Sequence, residues 1–313
     1  MFKTQDIHVK GLATEVLNTD FYDVMFGSID TNGAMSALEQ NTLSQITKVL
    51  TNPAQLNKHI PALPAMLVKL LDTLKDPHAD FDTFVDIIEQ DPAFAAEVLK
   101  VANTAKYNRT NKEIIYLSKA TSLLGISGLM KIASTLLMAD VIPCNPLYYQ
   151  LYGRLIWVHS VQCATLCELL AIHEKQNTAD AYFLGLIHDL GRIIVFNCIS
   201  HDMKKTFASL TPCTREYKIL MTEMSRDITY FIAKEWQLPS IYVEALKEQR
   251  EGTRNPLSDL LFKANCLSEN YLLFNKKSVT EDEYQSLQKS LGIDEKIFEE
   301  FNELAPAISE SII

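Results

Sequence analysis

Gly185-Leu186-Ile187-His188-Asp189-Leu190-Gly191 is the stretch on which the reading of this chain turns. An adjacent His-Asp pair inside an apolar helical segment can bring an imidazole nitrogen and a carboxylate to one metal ion. His159, upstream in Trp157-Val158-His159-Ser160, could add a second imidazole from another helix. Imidazole and carboxylate together suit Mn, Fe, Ni or Zn, and water on such an ion becomes a nucleophile near neutral pH. His159 is followed at i+4 and i+8 by Cys163 and Cys167, so all three share one helical face, read here as a packed seam.

Working outward, the chain reads as helix after helix. Leu63, Met66, Leu67, Leu70, Leu71 and Leu74 recur at helical spacing up to Asp76-Pro77. Asp82 is expected to cap the next helix, which holds Phe84, Val85, Ile87 and Ile88. Asp91-Pro92 opens another, with Asp91 as N-cap and Pro92 at the first helical position. A helix from Ser118 or Lys119 breaks near Gly125, and a further one runs from Ser127 to Ala139. Leu147 to His173 forms a longer helix. Thr178-Ala179-Asp180 starts the helix expected to carry His188 and Asp189. Helices follow at about 214–236, 240–249, 256–271, 280–291 and 294–303. Before all of these, helices are expected at 11–26 and 35–51 around the turn Gly27 to Gly33.

Composition narrows the function classes. Hydrophobic residues make up 47% and charged residues 22%, as in ordinary globular proteins, and 10 Gly with 11 Pro disfavour a many-turned β fold. A net charge of −10 speaks against general nucleic-acid binding, which needs a basic surface. Six cysteines without a Cys-x-x-Cys pair read as reduced thiols. The N-terminus has no apolar core of signal-peptide type, and no uninterrupted apolar run reaches about 20 residues, so a cytoplasmic chain without membrane association is expected.

Four blocks in order resemble the HDOD domain family. They are Leu63-Pro64 with Asp91 to Ala105, Ala120 to Gly125, Gly185 to Gly191, and Trp236-Gln237-Leu238-Pro239. The resemblance spans about residues 56–270. It implies an all-α fold, an N-terminal helical bundle packed on a domain similar to the HD phosphohydrolases. It divides the chain into an extension at 1–55, a helical subdomain at 56–140, an HD-like subdomain at 141–275 and C-terminal helices at 276–313. It also implies a bacterial signal-transduction setting.

By the same resemblance, a complete HD phosphohydrolase site would take His159, His188, Asp189 and a later Asp. Asn265, in Lys263-Ala264-Asn265-Cys266, stands at that last position. A neutral amide binds a divalent ion less well than a carboxylate. The stretch Ala245 to Arg250 also lacks the His-His pair of many relatives. The metal site is therefore expected to be degenerate, without a confident catalytic residue or resident cofactor. The expected function is a non-catalytic regulatory protein that binds a signalling protein. The alternatives are a metal-dependent phosphohydrolase acting on a nucleotide or cyclic dinucleotide, and a sensor that binds a nucleotide through Arg192 or Lys263. Asp91, the acidic run Glu281-Asp282-Glu283 and the two tryptophans are read as cap, solvated face and core anchors.

Overall fold

The computed structural model describes residues 21–25, 33–52, 60, 62–75, 78, 80–105, 107–110, 112–139, 147–196, 214–252 and 254–311. The expected helix over 11–20, the turn before Gly33, the Asp76-Pro77 stop and Cys144, Cys198 and Cys213 lie outside them. Cys163, Cys167 and Cys266 are buried free thiols.

The fold is all-α. Its helices are α1 (Ala37–Thr51), α2 (Ala65–Lys75), α3 (Phe81–Glu89), α4 (Pro92–Ala102), α5 (Leu117–Ala139), α6 (Leu147–Glu174), α7 (Thr178–Ile187), α8 (Arg215–Glu235), α9 (Ser240–Glu251), α10 (Pro256–Asn275), α11 (Glu281–Ser290) and α12 (Glu295–Ser311). The axis of the molecule is α6, which packs against α7, α10 and α12, while α5 joins α2, α3 and α4 to α7. The Gly153–Glu174 part of α6 is long and apolar enough to cross a membrane by composition, yet it is mostly buried inside the bundle. A helix apolar all round belongs in a core, and this one fills that place.

Local chemistry sets the boundaries. The Asp91 carboxylate accepts from the Phe94 amide at 3.1 Å, as the Asp-Pro signature requires. The cap of α3 is Asp80, not Asp82. Asp80 accepts from the Thr83 amide at 3.0 Å, and Asp82 falls inside the first turn, where it meets the helix dipole. Within α5, Gly125 adopts φ 67°, which makes the expected break a kink inside one element. Asn103 closes the end of α4: its amide donates to the Leu99 and Ile114 carbonyls and accepts from the Ile114 amide. In the acidic run, Glu283 forms a reciprocal capping box with Thr280. Trp157 is buried, and Trp236 is half-buried against the core.

Two glycines fix the approach of helices at the centre. A Cβ on Gly185 would stand 2.6 Å from the Ala164 Cα, so α7 lies directly against α6 there. A Cβ on Gly191 would stand 1.9 Å from the Ser225 carbonyl oxygen, while the Gly191 amide donates to Thr229 Oγ1 at 2.9 Å. Both glycines are needed because backbones touch. Gly191→Ala should therefore cost about 3 kcal/mol or more, through forced displacement of α8. Gly33→Ala, which meets nothing within 4 Å, should change stability little; urea unfolding of the two variants measures the difference.

Candidate metal centre

His159 comes from the middle of α6. His188 is the C-cap of α7, and Asp189 occupies the turn that follows. The sequence expectation that both sit within a helix is thus corrected. The helix ends at Ile187, the chain turns at His188-Asp189 and resumes helical geometry over 190–196. This break turns the two side chains to the same centre. Asn265, Ser268 and Glu269 reach it from α10.

Four donor atoms converge. His188 Nε2 lies 2.8 Å, and His159 Nε2 3.1 Å, from Asn265 Oδ1. Asp189 Oδ2 lies 3.3 Å from His159 Nε2 and 3.5 Å from His188 Nε2. His188 Nδ1 is 2.7 Å from the Gly185 carbonyl, which can only accept, so Nδ1 carries a proton. Nε2 of His188 then faces two oxygens, and with the Asn265 amide in this orientation the arrangement favours a cation, either a proton on that nitrogen or an ion among the four atoms.

Spacing fits a single ion. Donors on one metal with bonds near 2.1 Å stand about 3 to 3.5 Å apart. His159, His188 and Asp189 offer ligand atoms mutually within reach of one ion, and Asn265 Oδ1 lies among them. The Nδ1–H of His188 held by a carbonyl is also the outer contact that orients metal-binding imidazoles.

The charge balance is met without an ion. Arg192, on the 190–196 helical turn, places Nη1 3.0 Å from Asp189 Oδ2, and its Nη2 donates to Glu269 Oε1. Arg192 is 4% exposed and Glu269 1%. Burial opposes the charge of Asp189, but Arg192, His188 and His159 hold its carboxyl far below the usual carboxylate range. Burial likewise opposes a charged His188, and the neighbouring Asp189 carboxylate and Cys163 thiol overcome it, raising its pKa to about 9. Imidazolium, carboxylate, guanidinium and Glu269 carboxylate sum to zero formal charge in a buried cluster, as burial requires.

Sequence reasoning missed Glu269, which gives no motif signal, although its place one turn after Asn265 on the same helix was readable. It also offered Arg192 as a phosphate partner, whereas the guanidinium is buried and paired within the chain. Lys263 points away from the centre and bonds Glu174 and Asp259 at 3.1 and 2.8 Å. A narrow cleft beside the centre is lined by His188, Asp189, Thr222, Arg226, Gln249 and Asn265 among others.

Residues 60–251 match the family model of the HDOD domain. A curated uncharacterized protein of Treponema pallidum (strain Nichols) is 24% identical over 65% of this chain, and the chain spans 40% of that protein's length. A solved structure from Shewanella amazonensis SB2B, provisionally named a metal-dependent phosphohydrolase, matches at a TM-score of 0.64 with 18% identity, covering 89% of this chain and all of that one. A protein of Marinobacter aquaeolei VT8, provisionally named a signal transduction protein, matches at 0.52 with 18% identity, covering 99% of this chain and 67% of that one. At these identities the likeness is one of fold.

The metal-free centre should make stability depend on alkaline pH. The folded pKa of His188, about 9, lies above the ordinary 6.5, so its contribution is complete below about 6.5 and is lost as pH rises through about 9. The urea midpoint of chelator-treated protein should fall across that window, and the fall should flatten in His188→Gln. Metal affinity should move the other way and rise with pH, because a metal must displace the proton from Nε2.

Proposed function

The chain belongs to the HDOD domain family, and on that premise we propose that it is a non-catalytic, cytoplasmic signal-transduction module of a bacterial cell whose HD-like centre is structural. It acts by binding a signalling protein through its helical surface. One observation carries the reading: the charge of Asp189 is already matched by Arg192, which is itself locked to Glu269. An ion would have to compete with a buried guanidinium for the only carboxylate in its donor set.

Asn265 supports the same reading. Its amide oxygen accepts from a protonated imidazole, and its NH₂, if turned inward, would donate to both Nε2 atoms. Asn265 can therefore hold the two histidines in register without an ion, which an Asp could do only with added protons. The cleft beside the centre is narrow, which favours neither the sensor nor the phosphohydrolase.

The spacing of the four donors favours a second reading, a metal-dependent phosphohydrolase of nucleotides or cyclic dinucleotides. In that case His159, His188 and Asp189, with Asn265, would hold one Mn, Fe, Ni or Zn ion. The ion would supply Lewis acidity and an activated water. The residues of the chain would orient it: Gly185 through His188 Nδ1, and Ser268 through its 3.4 Å contact with His159 Nδ1.

Elemental analysis after incubation with these ions separates the two. The structural reading expects far less than one equivalent in the wild-type chain. It further expects Asn265→Asp combined with Arg192→Met to raise affinity on the order of 10–100-fold. One full equivalent in the wild type, lost in His188→Ala, together with phosphoester hydrolysis abolished by Asp189→Ala, would overturn it.

A further inference from the structure

The edge of the Arg192 guanidinium is taken by Asp189 and Glu269, and its face is covered by a different part of the chain. The Phe21 ring centroid lies 4.2 Å from Arg192 Cζ, and that of Tyr22 lies 5.5 Å away, both within cation–π range. Phe21 also meets the His159 ring at 5.3 Å. Phe21, Tyr22 and Met25 are all buried. These residues belong to the helical segment 21–25, which precedes the family match beginning at residue 60.

The described part of this segment is the five residues 21–25. Its side chains hold it in place. Asp23 pairs with Lys218 on α8, and the Tyr22 hydroxyl lies 3.5 Å from Ser225 Oγ on the same helix. A second tie to α8 comes from α1. Thr214 makes no side-chain cap bond to α8, and instead its amide and hydroxyl donate to Glu39 at 2.9 and 2.7 Å. Glu39 is held at its own helix start by Ser36, which donates its amide at 2.7 Å. Residues 21–25 and Glu39 are thus held against the α8 end of the bundle, with Phe21 over the polar centre.

We propose that residues 21–25 form an intramolecular plug. Phe21 occupies an aromatic seat against Arg192 and His159, and its release opens the centre on that side. On the regulatory reading above, the seated Phe21 is the closed state of the module. The proposal is independent of whether the centre holds a metal, so neither idea falls with the other. Burial of the Phe21 ring at this seat favours the closed state.

Carbethoxylation of His159 by diethylpyrocarbonate, followed by peptide mass spectrometry in the chelator-treated full chain, tests it. Wild-type His159 should react far more slowly than exposed His173. Phe21→Ala and Asp23→Lys, the latter repelling Lys218 without leaving a cavity, should each raise the His159 rate about tenfold or more through local opening. Phe301→Leu, a core substitution on α12, should leave it unchanged. Equal rates for His159 and His173 in the wild type, no rise in either plug variant, or the same rise in Phe301→Leu would overturn the proposal.

Discussion

Three helices and a turn meet at a group of charges that cannot be separated. Asp189, Arg192 and Glu269 are buried, and each is tolerable there only because the next is within bonding distance. Removing one would leave its neighbour charged in an apolar bundle, so the cluster ties the 189–192 segment to α10, and the contact of His159 with Asp189 brings α6 to the same centre. His159, His188 and Asn265 complete this arrangement, and the aromatic pair Phe21-Tyr22 shields it from solvent. The surrounding helices keep this polar centre largely buried and its charges matched.

Much of the fold was legible because helix boundaries are local chemistry. Asp91-Pro92, Gly125 and the hydrophobic spacing of α2 and α3 each announce themselves within a few residues. The assignment of a cap to Asp82 failed because two aspartates stand two positions apart, and only the backbone angles decide which one is outside the helix. The helix carried past Ile187 failed for a related reason. His188 keeps helical dihedrals at the C-cap, so nothing in residue preference marks the turn.

The centre itself was half legible. His159, His188 and Asp189 come together, as the motif and its upstream histidine suggest, and Asn265 faces both imidazoles. The charge balance was hidden, because it depends on Glu269 and on Arg192 folding back by one turn onto Asp189. The plug was hidden more deeply. A phenylalanine in an extension has no chemistry that points to a guanidinium far away in sequence, and only the packing of residues 21–25 against the bundle brings the two together.

Gly185 and Gly191 draw out a broader point. Both are dictated by backbone contact with α6 and α8, and His188 is tied to Gly185 by its own ring. At Gly185 and Gly191 the Gly-Leu-Ile-His-Asp-Leu-Gly string therefore answers a steric demand that is separate from any chemistry at His188 and Asp189. A lineage could shed its chemistry and keep the string intact for as long as the helices stay in contact. In this chain the two glycines of the string mark architecture and say nothing of turnover. The diagnostic positions are those that the architecture leaves unconstrained.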